Sequence, residues 1–332
     1  MGDIDFVVTW VNGEDKQWQN KMQKYKRDEM TTGSLNTASR YRNFHLFKYW
    51  FRAVEKYAPW VHKVFLITDN QCPEWVNKNN AKLEVINHPD YIDSNVLPTF
   101  NSNVIELNIF RIKGLSEHFV LFNDDTFLNA PVKESDFFVK GMPKDIYAES
   151  PIVSTDGSIA HTLVNNIRII NRVFSKREFY RRNYSKVFNP KIGNKIFRTI
   201  ALFPSSNFTG MWNSHLPVPY LKETFKQVWQ YMPDELENMM RNRFRTPSDY
   251  SHWLMRYWQL ASGDFCVQKR NFGKVYDIGM TPQNVLEREI LGEHHQLLCL
   301  NDTDNVKDAG EIASYLQCYF EMSLPKASMF EI

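Results

Sequence analysis

Two adjacent carboxylates follow a short apolar run in the first half of the chain, in the segment Asn123-Asp124-Asp125. Neighbouring carboxylates in a cleft repel each other and lose hydration, so a cation or a hydrogen-bond network has to compensate them. A hard divalent cation such as Mg²⁺ or Mn²⁺, held by carboxylates and phosphate oxygens, is a common solution for nucleotide substrates. Asp124 and Asp125 are therefore predicted metal ligands. Taken alone, the cluster is also compatible with an Asx turn or a helix cap.

A histidine in a stiff loop is the second candidate. His215 precedes the segment Leu216-Pro217-Val218-Pro219, whose two prolines restrict the backbone. Histidine titrates near neutral pH, so a histidine held in this way suits a general base. The alternative is a surface or core-edge histidine that makes one backbone hydrogen bond.

Two further segments carry groups that suit a phosphorylated ligand. Arg241, Arg243 and Arg245 alternate along the chain, so in an extended segment they project to one side and suit bidentate contacts with a diphosphate. A solvated basic loop is an equally good interpretation of the same pattern. Asn301 and Asp302 follow another apolar run and would add a second polar pair to the site.

Short apolar runs alternate with helical periodicity over the first 130 residues, which indicates βαβ units and a mainly parallel sheet with helices on both faces. The predicted strands lie at 4–10, 64–68, 83–86 and 119–122, and the predicted helices at 42–57 and 102–113. Polar clusters follow three of the strands, at 9–15, 68–70 and 123–126. Because ligands bind outside the carboxyl ends of the strands in open α/β sheets, we expect these clusters to gather at one edge.

The composition excludes several classes of protein. The chain has 332 residues, of which 43% are apolar, so it is neither disordered nor of low complexity. Forty basic against 38 acidic residues give a formal charge of +2, which argues against a nucleic-acid partner. The start of the chain has no basic segment ahead of an apolar one, and the four cysteines form no CxxC pair. A cytoplasmic protein with reduced thiols is expected.

The second half of the chain differs from the first in composition. Residues 168–200 carry ten basic side chains and a single acid, Glu178, with aromatic residues between them. This half is predicted to be mainly helical, and the aromatic stripe at 250–261 is predicted to pack in the core.

Four blocks of the sequence together resemble the Stealth family, which comprises bacterial capsular-polysaccharide phosphotransferases and the catalytic subunits of the eukaryotic GlcNAc-1-phosphotransferase. They are IDFVVTWVNG at 4–13; the run 40–125 with EKYAPWVHKVFLITD, LPTFNSNVIELNIFRIKGLSEHF and FNDD; HLPVPYLKETF with RFRTPSDY; and CLNDTDNVKDAGEI. The blocks occur in the family's order. They are much more specific than an isolated acidic pair.

The resemblance implies a phosphotransferase that moves a sugar 1-phosphate from a UDP-sugar to a hydroxyl of a lipid-linked or free glycan and releases UMP. It implies an α/β fold with a Rossmann-like, GT-A-like, mainly parallel sheet flanked by helices and a mostly helical inserted second half. The expected division is a nucleotide-sugar-binding core at 1–150, a helical acceptor region at 151–262 and a segment at 263–332 that completes the site. The expected cofactor is Mg²⁺ or Mn²⁺.

The resemblance also assigns roles to individual residues. His215, Asp125 and Asp302 are the implied catalytic residues, and Asp124 and Asp125 are the implied metal ligands. The implied substrate-binding residues are Trp10, Asn12, Gly13, Asn101, Arg111, Asn123, Arg243, Arg245 and Asn301. Asn43-Phe44 replaces an Asp-Asn pair of many members, and Asn242 replaces a histidine, so no catalytic role is expected at either place.

Two other functions fit parts of the pattern. A conventional glycosyltransferase would use the same strand-end acids, cleave at the anomeric carbon and release UDP. A polyanion- or membrane-binding module would use the basic stretch 168–200. Beside the enzymatic function, this stretch suits a peripheral contact with an anionic membrane, and a solvated helical face whose aromatic residues pack inward is the alternative interpretation. The identity of the nucleotide product separates these hypotheses.

Overall fold

The computed structural model describes residues 2–26, 42–155, 158–302, 306 and 308–332. Residues 40–41 of the second sequence block and residues 303–305 and 307 of the last block lie outside the described part. The strands are β1 (Ile4–Thr9), β2 (Val64–Thr68), β3 (Leu83–Asn87), β4 (His118–Asn123), β5 (Thr126–Leu128), β6 (Phe138–Val139), β7 (Met142–Asp145), β8 (Val218–Leu221), β9 (Cys266–Val267), β10 (Gly273–Asp277) and β11 (Leu297–Asn301). The helices are α1 (Lys16–Lys26), α2 (Phe47–Tyr57), α3 (Ser102–Leu107), α4 (Glu134–Phe137), α5 (Ala160–Val173), α6 (Lys176–Val187), α7 (Lys195–Leu202), α8 (Lys222–Tyr231), α9 (Pro233–Met240), α10 (Trp253–Ser262), α11 (Gln283–Gly292) and α12 (Ala309–Ser323).

A five-stranded sheet with the order β3-β2-β1-β4-β8 forms the centre of the molecule. The first four strands are parallel, and β8 pairs with β4 in the antiparallel direction. This arrangement confirms the prediction of an α/β, Rossmann-like and GT-A-like, mainly parallel sheet. Antiparallel β8 closes one edge, and the loop in front of it contains His215.

Both faces of the sheet are buried, which explains the continuous apolar runs of its strands. Along β1, Val7 contributes to one apolar core, and its neighbours Phe6 and Val8 contribute to the other. The first core contains residues of α3, α5, α6, α8, α9 and α10. The second contains residues of α2, α11 and α12. The sheet edge is therefore fixed from two sides, and the loops at its carboxyl end are left to form a site.

A smaller sheet with the order β10-β11-β5 connects the end of the chain to the acidic segment. β11 runs antiparallel to β5, which starts directly after Asp125. The backbone N–H of Leu300 also donates to the carbonyl oxygen of Asp125 at 2.9 Å. This pairing brings Asn301 and Asp302 to the first acidic pair. The boundaries 1–150, 151–262 and 263–332 stay a prediction.

Two predicted helices differ from the observed ones. The helix predicted over 42–57 begins only at Phe47, and the helix predicted over 102–113 ends at Leu107 and is followed by a 3₁₀ turn at Ile109–Arg111. The buried Asn108 side chain donates a hydrogen bond to the carbonyl oxygen of Val104. This bond gives a partner to a carbonyl oxygen near the end of α3. The second half is mainly helical as predicted, and α10 is buried along almost its whole length. No helix in the described ranges has both the length and the apolarity to cross a bilayer.

Candidate active site

A cavity of about 320 Å³ opens at the carboxyl ends of the strands. Trp10 follows β1, Asp69 follows β2, and Asn123 ends β4, and all three line this cavity. The structure therefore brings the three predicted polar clusters to one place, as the rule for open α/β sheets requires. Other predicted site residues that line the cavity are Asp124, Asp125, His215, Arg245, Asn301 and Asp302.

A tight turn between β4 and β5 presents the two acidic side chains. The Thr126 hydroxyl donates to the carbonyl oxygen of Asn123 at 2.8 Å and accepts from the N–H of Asn123 at 3.0 Å, which closes the turn. Asp124 is accessible from the cavity, although protein surrounds it on its other sides. This desolvation, together with the neighbouring Asp125 carboxylate, raises the pKa of Asp124 to about 7. The turn therefore concentrates negative charge where little water compensates it.

The chemistry of these groups fits a hard divalent cation. Asp125 Oδ1 is buried and has no hydrogen-bond partner among the described residues, so it is an acceptor that a ligand can satisfy. Asp125, His215 and Cys299 bring three potential ligand atoms within 4.8 Å of one another. However, burial raises the pKa of the Cys299 thiol well above its usual value, and the thiol points to Asp125 Oδ2 at 3.6 Å. A neutral thiol is a poor ligand for Mg²⁺ or Mn²⁺, so the Asp125 carboxylate is the member of this group that suits such a cation, and Asp124 as a second ligand stays a prediction.

His215 lies beside the acidic turn. Its Nε2 is 3.4 Å from Asp125 Oδ2, and about half of its side chain is exposed. Its φ of 50° is unusual for a residue other than glycine, asparagine or aspartate, and the preceding loop is held firmly. The buried Arg256 guanidinium donates to the Trp212 carbonyl oxygen and to Asn213 Oδ1, both at 3.0 Å. A base with this geometry can accept a proton from a hydroxyl in the cavity while Asp125 orients the ring.

The end of β11 adds a second acidic position and an arginine that sequence reasoning missed. Asp302 Oδ1 accepts from Arg42 Nη1 at 3.0 Å, and both side chains line the cavity. Asn43 and Phe44 line it as well, in the segment to which no catalytic role was assigned. Arg42 lies 260 positions from Asp302, so local spacing alone could not reveal this pair.

Arg245 also lines the cavity and contributes positive charge to it. Its Nη2 donates to Ser102 Oγ at 2.6 Å. Glu106 follows one turn later on α3 and also lines the cavity. Burial raises the pKa of Glu106 to about 7, while the positive charge of Arg245 and a hydrogen bond from Ser102 oppose this shift. Sequence reasoning did not single out Glu106, because it occurs within an ordinary helical pattern.

Asn101 and Arg243 are not among the residues that line the cavity, and their substrate-binding roles stay predictions. Asn101 is fully buried at the start of α3, where its Nδ2 donates to Asp249 Oδ2 at 2.7 Å and to the carbonyl oxygen of Phe244 at 3.2 Å. The Arg243 guanidinium lies over the ring of Tyr25 at 5.0 Å. Both residues position the loop that carries Arg245.

Arg111 also lies outside the cavity lining, and its predicted role in substrate binding stays a prediction. Because α3 ends early, Arg111 falls in the following 3₁₀ turn and its guanidinium packs 4.4 Å from the centre of the Trp229 ring. It does not line the cavity. Partial burial lowers the pKa of its guanidinium, and its electrostatic partners there are Glu237 and Asp93.

The predicted site residues of the loop after β1 occupy two kinds of position. Trp10 stacks on Phe47 with 5.5 Å between ring centres and an interplanar angle of 4°, and it lines the cavity. Asn12 and Gly13 lie beside the cavity and do not line it. The N–H of Asn12 donates to Gln71 Oε1 at 2.8 Å, and the carbonyl oxygen of Gly13 accepts from Gln19 Nε2 at 2.7 Å. These two residues hold the loop in place.

Comparisons with known proteins identify the family of this chain. Residues 2–29 match Stealth protein CR1, conserved region 1, and residues 40–145 match Stealth protein CR2, conserved region 2. A capsular polysaccharide phosphotransferase, WcwK of Streptococcus pneumoniae, is 43% identical over 331 residues, covering 100% of this chain and 98% of the relative. The exopolysaccharide phosphotransferase cps2G of Lactiplantibacillus plantarum is 40% identical over 331 residues, covering 99% of this chain and 96% of the relative.

A solved structure of the galactosyltransferase LgtC with donor and acceptor sugar analogues covers 98% of both chains at 9% identity. Its TM-score of 0.39 is too low to support an argument about this protein. The sequence relatives are decisive, because identities of 40% and above extend over nearly the full length of both partners. The chain belongs to the Stealth family.

Proposed function

We propose that this enzyme transfers a sugar 1-phosphate from a UDP-sugar to a glycan hydroxyl, releases UMP and forms a phosphodiester linkage in a capsular or cell-surface polysaccharide. The names of the relatives support the phosphotransferase class. The observation that carries the proposal is the 3.4 Å separation between His215 Nε2 and Asp125 Oδ2 in a cavity lined by acidic and arginine side chains. A proton acceptor and groups suited to a diphosphate therefore share one cavity.

The proposed reaction uses His215 as the base. The acceptor hydroxyl donates its proton to His215 Nδ1, the ring nitrogen that does not face Asp125, and the hydroxyl oxygen attacks the sugar-side phosphorus of the diphosphate. The bond between that phosphorus and the bridging oxygen breaks, and the oxygen leaves with UMP. Half of the His215 side chain is accessible, so an acceptor can reach it from solvent.

Charge compensation in the cavity comes from two kinds of group. A divalent cation bound by Asp124 and Asp125 would neutralise charge on the transferred phosphoryl group. Arg245 supplies one guanidinium to the cavity, and Arg42 supplies another next to Asp302. We assign donor binding to Arg245, Asn123, Asn301 and Trp10, which line the cavity. We assign positioning of these residues to Asn12, Gly13, Asn101 and Arg243.

Peripheral contact with an anionic membrane, from the cytoplasmic side, is the second part of the proposal. Several cations of the stretch 168–200 are already occupied: Lys176 pairs with the buried Glu149 at 2.7 Å, and Lys186 donates to the carbonyl oxygen of Gly263. Arg177, Arg181 and Arg182 are exposed on α6, and 67% of Tyr184 is accessible nearby. Exposed arginines beside an exposed aromatic residue suit a headgroup region.

Binding to anionic vesicles across a salt series tests the membrane contact. Neutralising Arg177, Arg181 and Arg182 should weaken binding at low salt, because each cation near such a surface contributes about 1 kcal/mol. Equal binding of both proteins, or binding by neither, would leave α6 as a solvated helix and would refute this part of the proposal.

The nucleotide product tests the enzymatic part. A sugar-1-phosphate transferase releases UMP, whereas a conventional glycosyltransferase releases UDP. Chromatography of the products formed from a UDP-sugar and a glycan acceptor should show UMP in proportion to the glycan product. UDP in proportion to glycan would refute the proposal in favour of the glycosyltransferase, and neither nucleotide above the acceptor-free control would favour a binding module.

A further inference from the structure

Six cations from three parts of the chain converge on one face, here called the basic surface: Lys144, Lys191, Lys195, Arg198, Lys269 and Arg270. Partial burial lowers the pKa of Lys144, and the nearby charges of Lys191 and Lys269 lower it further. Partial burial also lowers the pKa of Lys195, and Arg198 and Arg270 act in the same direction. Each of these two lysines therefore lies close to two other cations, and Lys269 and Arg270, which are adjacent in the chain, connect the two groups.

Few acidic groups compensate this charge. Asp136 acts on Lys144 electrostatically, but no carboxylate of the described residues lies within 4.0 Å of a nitrogen of these six side chains. Asp145, the neighbour of Lys144, is bound by the Arg256 guanidinium at 2.7 and 2.8 Å. The Lys195 ammonium lies 3.9 Å from the centre of the Trp212 ring, and Arg198 donates to Ser150 Oγ. Among the described residues, the positive charge of the basic surface is therefore poorly compensated, and the surface suits the binding of an anion.

The basic surface meets the active site at the His215 loop. Lys144, Lys269 and Arg270 line a second cavity of about 40 Å³ together with Ser214 and Leu216. His215 lies between those two residues in sequence and lines the first cavity. Its φ of 50° turns the backbone so that consecutive residues serve different cavities. The cavity of the basic surface is therefore lined by the two chain neighbours of the proposed base.

We propose that the basic surface binds phosphate groups of the acceptor glycan and so presents its terminal hydroxyl to His215. This inference rests on the proposed function, because the phosphodiester product becomes an anionic acceptor when the polymer grows. Guanidinium and ammonium groups recognise phosphate oxygens through charge-assisted hydrogen bonds.

The test compares two triple variants of the full chain that remove the same charge. Lys144→Gln/Lys269→Gln/Arg270→Gln changes the basic surface, and Arg177→Gln/Arg181→Gln/Arg182→Gln changes the exposed face of α6. The probes are a phosphorylated dextran oligomer, neutral dextran of the same length and vesicles of phosphatidylglycerol, with binding followed across a salt series. We expect the first variant to bind phosphorylated dextran at least about tenfold more weakly. The α6 variant should bind it like the unchanged protein, and neutral dextran should bind weakly to all three.

Three results would overturn the proposal: equal affinity of the two variants for phosphorylated dextran, equal affinity for neutral and phosphorylated dextran, or loss of vesicle binding only in the basic-surface variant. The last result would identify the surface as a membrane contact. Removing like charges should leave the melting temperature unchanged or higher, and the single substitution Lys269→Gln in an exposed segment provides a second variant if the triple one does not fold. Release of UDP would refute the proposed function, whereas these binding measurements do not depend on the nucleotide product.

Discussion

The cavity has two walls that are built in different ways. The acidic wall consists of Asn123, Asp124, Asp125, Asn301 and Asp302, which lie at the ends of two strands. The arginine wall consists of Ser102, Glu106 and Arg245, which lie on α3 and on a loop. The first wall is fixed by β4 of the central sheet and by β11 of the smaller sheet, which pairs with β5 directly after the acidic turn. Contacts between residues more than 140 positions apart fix the second, in particular Asn101 with Asp249.

This difference indicates that the two walls have different roles in the reaction. Strand ends hold charged groups rigidly, so the acidic wall suits the reacting phosphoryl group, which tolerates little misplacement. The arginine wall is held by a buried polar network, so it suits recognition of the donor. Five predictions test this comparison.

Removal of divalent cations should have the largest effect. The account assigns a cation to Asp124 and Asp125, so excess chelator should nearly abolish turnover, and added Mg²⁺ or Mn²⁺ should restore it. The measurement is initial rate against free metal concentration. Full activity in chelator would contradict the assignment of the acidic wall.

Substitution of the acidic turn should come next. Asp125→Asn and Asp124→Asn keep the size of the side chain but remove its charge, and each should lower kcat by a hundred- to a thousandfold, about 3–4 kcal/mol of barrier. Thermal unfolding of the same variants is the control for an intact fold. A variant that folds normally and keeps kcat within about threefold would show that the acidic wall does not contact the reacting group.

His215→Ala should reduce kcat by at least about a hundredfold with little change in donor affinity, because the base acts on the proton of the acceptor. Kinetics with varied donor, combined with direct titration of UDP-sugar binding, separates these quantities. Loss of donor binding with a normal kcat at saturation would make His215 a binding residue.

Arg245 and Arg243 form a matched pair, because they are two positions apart and only Arg245 lines the cavity. Arg245→Ala should weaken donor binding about 10- to 100-fold, as expected for a lost charge-assisted contact, and Arg243→Ala should have a smaller effect. Donor titrations of both variants give the comparison. An equal or larger effect of Arg243→Ala would mean that Arg243 reaches the donor directly.

The smallest effect concerns stability. The pKa of Glu106 is raised to about 7, so between about pH 4.5 and 7 its carboxyl releases its proton more readily in the unfolded chain. Unfolding is then favoured as pH rises, and Glu106 lowers the free energy of unfolding across this window by at most about 3 kcal/mol. The free energy of unfolding of Glu106→Gln minus that of the unchanged protein should rise between about pH 4.5 and 7 and then stay constant. A pH-independent difference in denaturant unfolding would contradict this.

The acidic wall and the central sheet could be predicted from the sequence because both depend on local pattern. Apolar runs followed directly by polar residues indicate buried strands and the edge at which they end, as β1 and β4 show. The observed sheet confirms these strands, and Asn123, Asp124 and Asp125 lie where strand-end residues of such a sheet must lie.

The arginine wall could not be predicted in the same way. Glu106 belongs to an ordinary helical pattern, and only folding brings it close to Arg245 and removes it from water. Arg42 binds Asp302, which is 260 positions away in the chain. Arg111 lies in a 3₁₀ turn and not in α3, because α3 ends at Leu107 and the Asn108 side chain binds back to Val104. These contacts depend on tertiary packing, which periodicity and spacing do not encode. The roles of all site residues stay predictions until the variants are measured.

The central claim is that phosphorus, and not only the sugar, moves to the acceptor. A UDP-sugar labelled with ³²P at the sugar-side phosphorus, incubated with the enzyme and a glycan acceptor, tests it directly. The account predicts that the label appears in the glycan fraction, that unlabelled UMP is released in equal amount, and that Asp125→Asn suppresses both. Label that stays in UDP while the sugar moves to the glycan would contradict the account.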